Sequence, residues 1–221
     1  MKRRDLLKAA GAGVVASSAA ATAVAQSSGT TFLVAHGAWS AGWAWKKMHP
    51  LMRAAGHRLV TPTYTGLGEH EHLASPANDL ETHIADVLNV IKYEDLRNFV
   101  LIGHSYGGMV APGVTDRARE RIAQLIYMDA FVPRSGQSLL DLLPPPARQQ
   151  MQERVKAGDG WRVAPNPTPP DTSEADVKWI AERAKSEAGW RYYEIDASHS
   201  PHVTAPDALA ALLQAIAAER V

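Results

Sequence analysis

From Thr31 onward the chain alternates short apolar runs with longer stretches in which apolar residues recur every three or four positions. Thr31-Phe32-Leu33-Val34-Ala35 is the first such run, and Arg58-Leu59-Val60-Thr61-Pro62, Phe99 to Ile102 and Ile122 to Met128 repeat it. Runs this short, with few polar breaks, predict strands buried on both faces, as in a parallel sheet. Between them, Met48, Leu51, Met52 and Ala55 fall at helical spacing within Trp43 to Ala55, and Gly56 closes the segment. Leu80, Ile84, Val87, Leu88 and Ile91 form a second helical stripe behind Asp79, a residue type suited to cap a helix N-terminus. Met109 to Arg121 reads as a third helix despite Pro112, whereas Thr63 to Pro76, crowded with Gly, His and Glu, reads as a surface loop.

The rhythm breaks between Pro133 and Gly189. This stretch holds Pro144-Pro145-Pro146, a polar helix from Ala147 to Lys156, the proline-rich segment Pro165 to Pro170, and a helical pattern from Asp176 to Glu187. It reads as a cap over residues 134–189. Trp190 to Ile195 then reads as a last strand and Ala208 to Ala218 as an amphipathic final helix. The alternation predicts an α/β fold: one domain over residues 26–221 whose mostly parallel central sheet is flanked by helices.

Residues 1–25 stand apart from that pattern. Lys2-Arg3-Arg4 precedes a weakly apolar, Ala- and Gly-rich run, and Ala23-Val24-Ala25 offers an A-x-A cleavage site, which resembles a twin-arginine export signal. The expected location is the bacterial periplasm or the medium. Gly11, Gly13, Ser17, Ser18 and Thr22 make the run a poor membrane span. Lys plus Arg and Asp plus Glu both number 23, so the net charge is zero and no overall field recruits nucleic acid or an anionic membrane. The absence of cysteine removes thiolate chemistry and leaves hydroxyl nucleophiles.

The chemistry gathers where strands end. Leu101-Ile102-Gly103-His104-Ser105-Tyr106-Gly107-Gly108 sets a serine between glycines, after a strand and before a helix, the G-x-S-x-G pattern of a nucleophile elbow. A serine hydroxyl needs a base, a group that orients the base, and donors for the developing oxyanion. The backbone N–H groups of Tyr106, after the nucleophile, and of Ala38, after the His36-Gly37 turn, are the expected donors. His199 follows the expected last strand, a position from which it reaches over the sheet edge to Ser105 as general base. His104 is read as structural, beneath the elbow. Asp129 closes the Ile122 to Met128 strand at the same edge, where parallel sheets collect ligands. Glu69-His70-Glu71-His72 matches no familiar zinc spacing and is read as solvated, so neither metal nor cofactor is expected.

His36-Gly37-Ala38-Trp39, Gly103-His104-Ser105-Tyr106-Gly107-Gly108, Asp129-Ala130-Phe131-Val132-Pro133 and His199 together resemble the α/β-hydrolase superfamily. The pattern is most similar to small esterases like the plant methyl-ester esterases and hydroxynitrile lyases, with their bacterial relatives. The resemblance implies hydrolysis of a small carboxylic ester through an acyl-enzyme. Such proteins carry a further strand before the final histidine, often bearing the triad acid. Here that segment is short by one strand, and Asp129 takes the acid's role, as in superfamily members whose acid follows this strand. Asp171, Asp176 and Asp196 are weaker candidates. Related lyases have a lysine directly after the catalytic histidine, where this chain has Ser200, so hydrolysis is favoured over cyanohydrin cleavage. A non-catalytic binding protein on a shortened hydrolase fold is the remaining alternative. Trp39, Leu139, Leu142 and Leu143 imply an apolar substrate pocket, while the ester and the oligomeric state stay open.

Overall fold

The computed structural model describes residues 29–157, 161–183 and 200–218. The export-like segment, the Trp190 to Ile195 strand, Asp196 and His199 lie outside the described residues.

Among the described residues, four strands, β1 (Thr31–Ala35), β2 (Arg58–Val60), β3 (Phe99–His104) and β4 (Ile122–Met128), pair in parallel in the order β2-β1-β3-β4. Every residue of β3 is buried, as its unbroken apolar run requires. The strand order places the topological switch between β1 and β3, because the chain builds outward on one side of β1 and then on the other.

Alternate residues of β1 serve two layers. Leu33 and Ala35 face a core with Ile84, Val87 and Ile91 of α2 (Leu80–Tyr93) and Val110 and Val114 of α3 (Gly107–Ala118). Phe32 and Val34 face the opposite layer. There Trp45, Met48 and Met52, from a 3-10 turn (Gly42–Trp45) and α1 (Met48–Ala54), pack with residues of the last helix. Asp79 begins α2 with a reciprocal capping box: its carboxylate accepts from the Thr82 N–H at 2.9 Å, and Thr82 accepts from the Asp79 N–H.

The segment read as a cap holds α4 (Leu139–Leu142), α5 (Pro145–Ala157) and α6 (Glu174–Ala181), and α7 (Pro201–Thr204) and α8 (Pro206–Ala218) are the last helices among the described residues. α8 packs on α1, and its Leu209, Ala210 and Leu213 join the layer that holds Met48 and Met52. Among the described residues no helix is long and apolar enough to cross a membrane.

One expectation is corrected. Thr63 to Pro76 is not simply a surface loop: Tyr64 is fully buried and Gly68–Leu73 forms a 3-10 helix. The reason is local pairing. Glu69 accepts from the Thr63 hydroxyl at 2.8 Å, the His70 ring bonds the Thr63 carbonyl at 3.1 Å, and Tyr64 stacks on His36 with ring centroids 3.8 Å apart. Two polar residues of the Glu69 to His72 run thus spend their side chains holding this turn.

Candidate active site

Register brings the strand ends together before any side chain is considered. Ala35 pairs with Gly103, and His104 pairs with Met128. The residues just beyond, His36, Ser105 and Asp129, therefore leave the sheet at one edge and at adjacent positions.

Ser105 occupies the elbow with φ 54°, the left-handed backbone expected of a residue forced through a strand-to-helix turn. Main-chain bonds fix it: its N–H donates to the Asp129 carbonyl at 3.1 Å, and its carbonyl accepts from Gly108 at 3.0 Å and from Phe131 at 3.2 Å. The small neighbours are obligatory. A Cβ on Gly107 would stand 1.9 Å from the Ala35 carbonyl oxygen, and one on Gly37 would stand 2.9 Å from the Ser105 Cβ. The Gly37 loop therefore lies directly against Ser105. Tyr106 is the N-cap of α3, so the positive end of that helix faces the serine.

An aromatic layer supports both expected oxyanion donors. His36 is buried, and its Nδ1 lies 2.7 Å from the Gly37 carbonyl while its Nε2 lies 3.3 Å from the Tyr64 N–H. The bonds fix one neutral tautomer, Nδ1–H donating and Nε2 accepting. Burial lowers the His36 pKa to about 3 and keeps it uncharged. Tyr64 returns its hydroxyl to the His36 carbonyl at 3.2 Å and stacks its other side on His83. The Tyr106 hydroxyl lies 2.9 Å from His83 Nδ1, and His83 Nε2 lies 3.2 Å from the Thr65 carbonyl. His83 is also held below its ordinary pKa, chiefly by burial, so the Tyr106 O–H donates to a neutral ring.

Above this edge a cavity of about 480 Å³ is lined by Ser105, His104, Asp129, Ala38 and Trp39, with cap residues overhead. The size is that of a small-molecule site. Leu139, Leu143, Met151 and the prolines of the strap Pro165 to Pro169 supply apolar wall, as expected for the first two; Leu142 does not line the cavity and packs against the core beside them. Asp129 is half-buried at the wall, with φ 40°. His104 is buried beside the elbow, edge-on to Trp45. Asp176, weighed as a weaker acid, is engaged elsewhere: it accepts from Lys47 at 2.7 Å.

Two features escaped the sequence reading. His202 is buried in the cavity wall, its ring stacked on Trp45 at 4.6 Å and edge-on to His104 at 4.9 Å. The only sequence signal is the spacing of two histidines three apart, His199 and His202. Trp39 was read as a wall residue, but its indole N–H also donates to the Val163 carbonyl of the cap at 2.9 Å. No local pattern announces a bond that spans 124 residues.

Comparison with known proteins fits this geometry. Residues 32–194 match the model of the alpha/beta hydrolase family. A carbendazim hydrolyzing esterase of Nocardioides sp. is 51% identical over 113 residues, covering 51% of this chain and 47% of that protein. Salicylic acid-binding protein 2 of Nicotiana tabacum is 29% identical over 137 residues, 60% of this chain and 49% of that one. The chain thus matches about half the length of these curated relatives. A solved extracellular α/β-hydrolase from a Paenibacillus species, described as sharing structural and functional homology with the tobacco protein, superposes with a TM-score of 0.65. It is 25% identical, with 77% of this chain and 72% of that one covered.

Proposed function

The chain belongs to the alpha/beta hydrolase family, and from that premise we propose that it is a serine esterase that cleaves small carboxylic esters through an acyl-enzyme. The observation that carries the reading is the left-handed backbone of Ser105 at the floor of the cavity. That backbone conformation is costly for a non-glycine residue and is what presents a nucleophile at a strand-to-helix turn.

In this mechanism the Ser105 Oγ attacks the ester carbonyl carbon as His199 takes its proton. The carbonyl oxygen gains the charge and is held by the Ala38 and Tyr106 N–H groups, beside the positive end of α3. His199 then protonates the departing alcohol, and water, deprotonated by the same imidazole, releases the acid. Asp129 orients His199. Support for the base comes from its chain neighbour: Ser200 lines the same cavity. Support for the acid comes from Asp129 lining the wall beside the nucleophile.

Ser105→Ala tests the assignment. The variant is expected to fold and to lose turnover of a short-chain p-nitrophenyl ester, and a fluorophosphonate is expected to label the wild-type protein at Ser105 alone. Undiminished hydrolysis by the variant would remove the serine mechanism. A panel of aryl, aliphatic and methyl esters, with carbendazim included because of the relative's activity, measures the substrate range.

Export belongs to the same reading, supported by the paired arginines and the Ala23-Val24-Ala25 site. Fractionation of an expressing bacterium is expected to find the mature protein outside the cytoplasm, and Arg3→Lys with Arg4→Lys to retain it inside.

A further inference from the structure

We propose that Trp39 is a positioning residue for ester hydrolysis, tying the proline-rich strap of the cap to the loop that carries the Ala38 N–H. The proposal rests on the reading of Ala38 as an oxyanion donor. Trp39 follows Ala38 directly and holds φ 51°, a conformation that a bulky residue keeps only where its surroundings fix it.

Those surroundings belong to the cap. The Trp39 indole N–H donates to the Val163 carbonyl at 2.9 Å, and the Arg154 guanidinium of α5 lies over the ring, 5.5 Å from its centroid. Arg154 also grips the strap, donating to Asn166 Oδ1 at 2.7 Å and to the Ala164 carbonyl. Val163 and Ala164, which lead into the strap, and Asn166 within it are therefore held by two side chains, one from the oxyanion loop and one from the cap helix.

The strap is stiff, because Pro165, Pro167 and Pro169 each fix φ. It also lines the cavity over Ser105. A substrate group packed against it bears on the same unit that sets the backbone beside Ala38. Binding energy collected at the cap is in this way available to hold the oxyanion donor in place, where it acts on the transition state.

Kinetics on p-nitrophenyl acetate and on a larger aryl ester that reaches the strap separate this role from a structural one. Trp39→Phe keeps an aromatic face beneath Arg154 and deletes the N–H donor together with the five-membered ring that carries it. The expected result is a roughly three- to tenfold fall in kcat for the larger ester, the span of one hydrogen bond, with a smaller effect on the acetate and KM within about twofold. Arg154→Met is expected to act alike, and the double variant to be no slower than the worse single one, since both cut the same unit. Wild-type kcat in Trp39→Phe, a loss confined to KM, multiplying losses in the double variant, or a loss that tracks a lowered Tm would each overturn the proposal. Ser105→Ala, measured in parallel, reports separately on the esterase reading: full turnover there removes that reading whatever Trp39 does.

Discussion

The backbone N–H of Ser105 donates to the carbonyl oxygen of Asp129 at 3.1 Å. Both residues sit in the left-handed region, φ 54° and 40°, so two strained turns from neighbouring strands brace one another at the sheet edge. Because the bond uses only main-chain atoms, changing the Asp129 side chain leaves the elbow in place. Asp129→Asn is therefore expected to lower kcat by roughly 10²- to 10⁴-fold, the cost of losing a triad carboxylate, with Tm close to wild type. Turnover within a few fold of wild type would remove Asp129 from the triad.

Gly107 and Gly56 separate close packing from backbone strain. A Cβ at Gly107 would lie 1.9 Å from the Ala35 carbonyl oxygen, so α3 or β1 must move to accept it. Gly56 has φ 80° and open space around it. Gly107→Ala is expected to cost several kcal/mol and to abolish activity, whereas Gly56→Ala should cost only about 1 kcal/mol, from strain alone, and leave turnover unchanged. Urea denaturation of both variants measures the difference.

His36 makes stability depend on pH. Its pKa falls from 6.5 to about 3 in the folded protein, so between those values the unfolded chain binds a proton that the native state refuses. Stability is fully present above pH 6.5 and is lost as pH falls toward 3; for a group this deeply buried the loss amounts to several kcal/mol. His83, lowered by the same burial, adds with the same sign. Denaturant titrations across this range are expected to show the slope, and His36→Gln to flatten it even though it lowers the plateau.

Tyr106 has two separable parts. Its N–H is the proposed oxyanion donor, while its hydroxyl serves His83 at 2.9 Å. Tyr106→Phe removes only the second and is expected to cost about 1–3 kcal/mol of stability, the range for a buried partner deprived of its bond. Turnover at 25 °C should stay within several fold of wild type; a loss of orders of magnitude would show that the phenol, not the backbone, does the chemistry.

Much of this protein was legible in its local pattern. The apolar runs marked all four described strands, since a strand buried on both faces leaves polar residues no place to go. The glycines around Ser105 marked the elbow, because steric exclusion at a tight turn acts over a few residues and so is written within a few residues. Boundaries were less legible: the Trp43 to Ala55 helix is a 3-10 turn followed by α1, and the Asp176 to Glu187 pattern is helical as Glu174–Ala181 among the described residues. α4 carried no signal long enough to read.

Tertiary structure alone decided the rest. Composition made Thr63 to Pro76 look solvated, yet Tyr64 is drawn to full burial between His36 and His83, residues 28 and 19 positions away. Register, not sequence proximity, put Ser105 beside Asp129. The bond from Trp39 to Val163 and the lodging of His202 against Trp45 depend on how the cap and the last helices fold back over the sheet. The sequence by itself determined the turn at Ser105 and the strands that carry it, because those are short-range consequences of sterics and burial. The surroundings of Ser105 were settled by contacts between segments far apart in the chain, whose pairing no local pattern encodes.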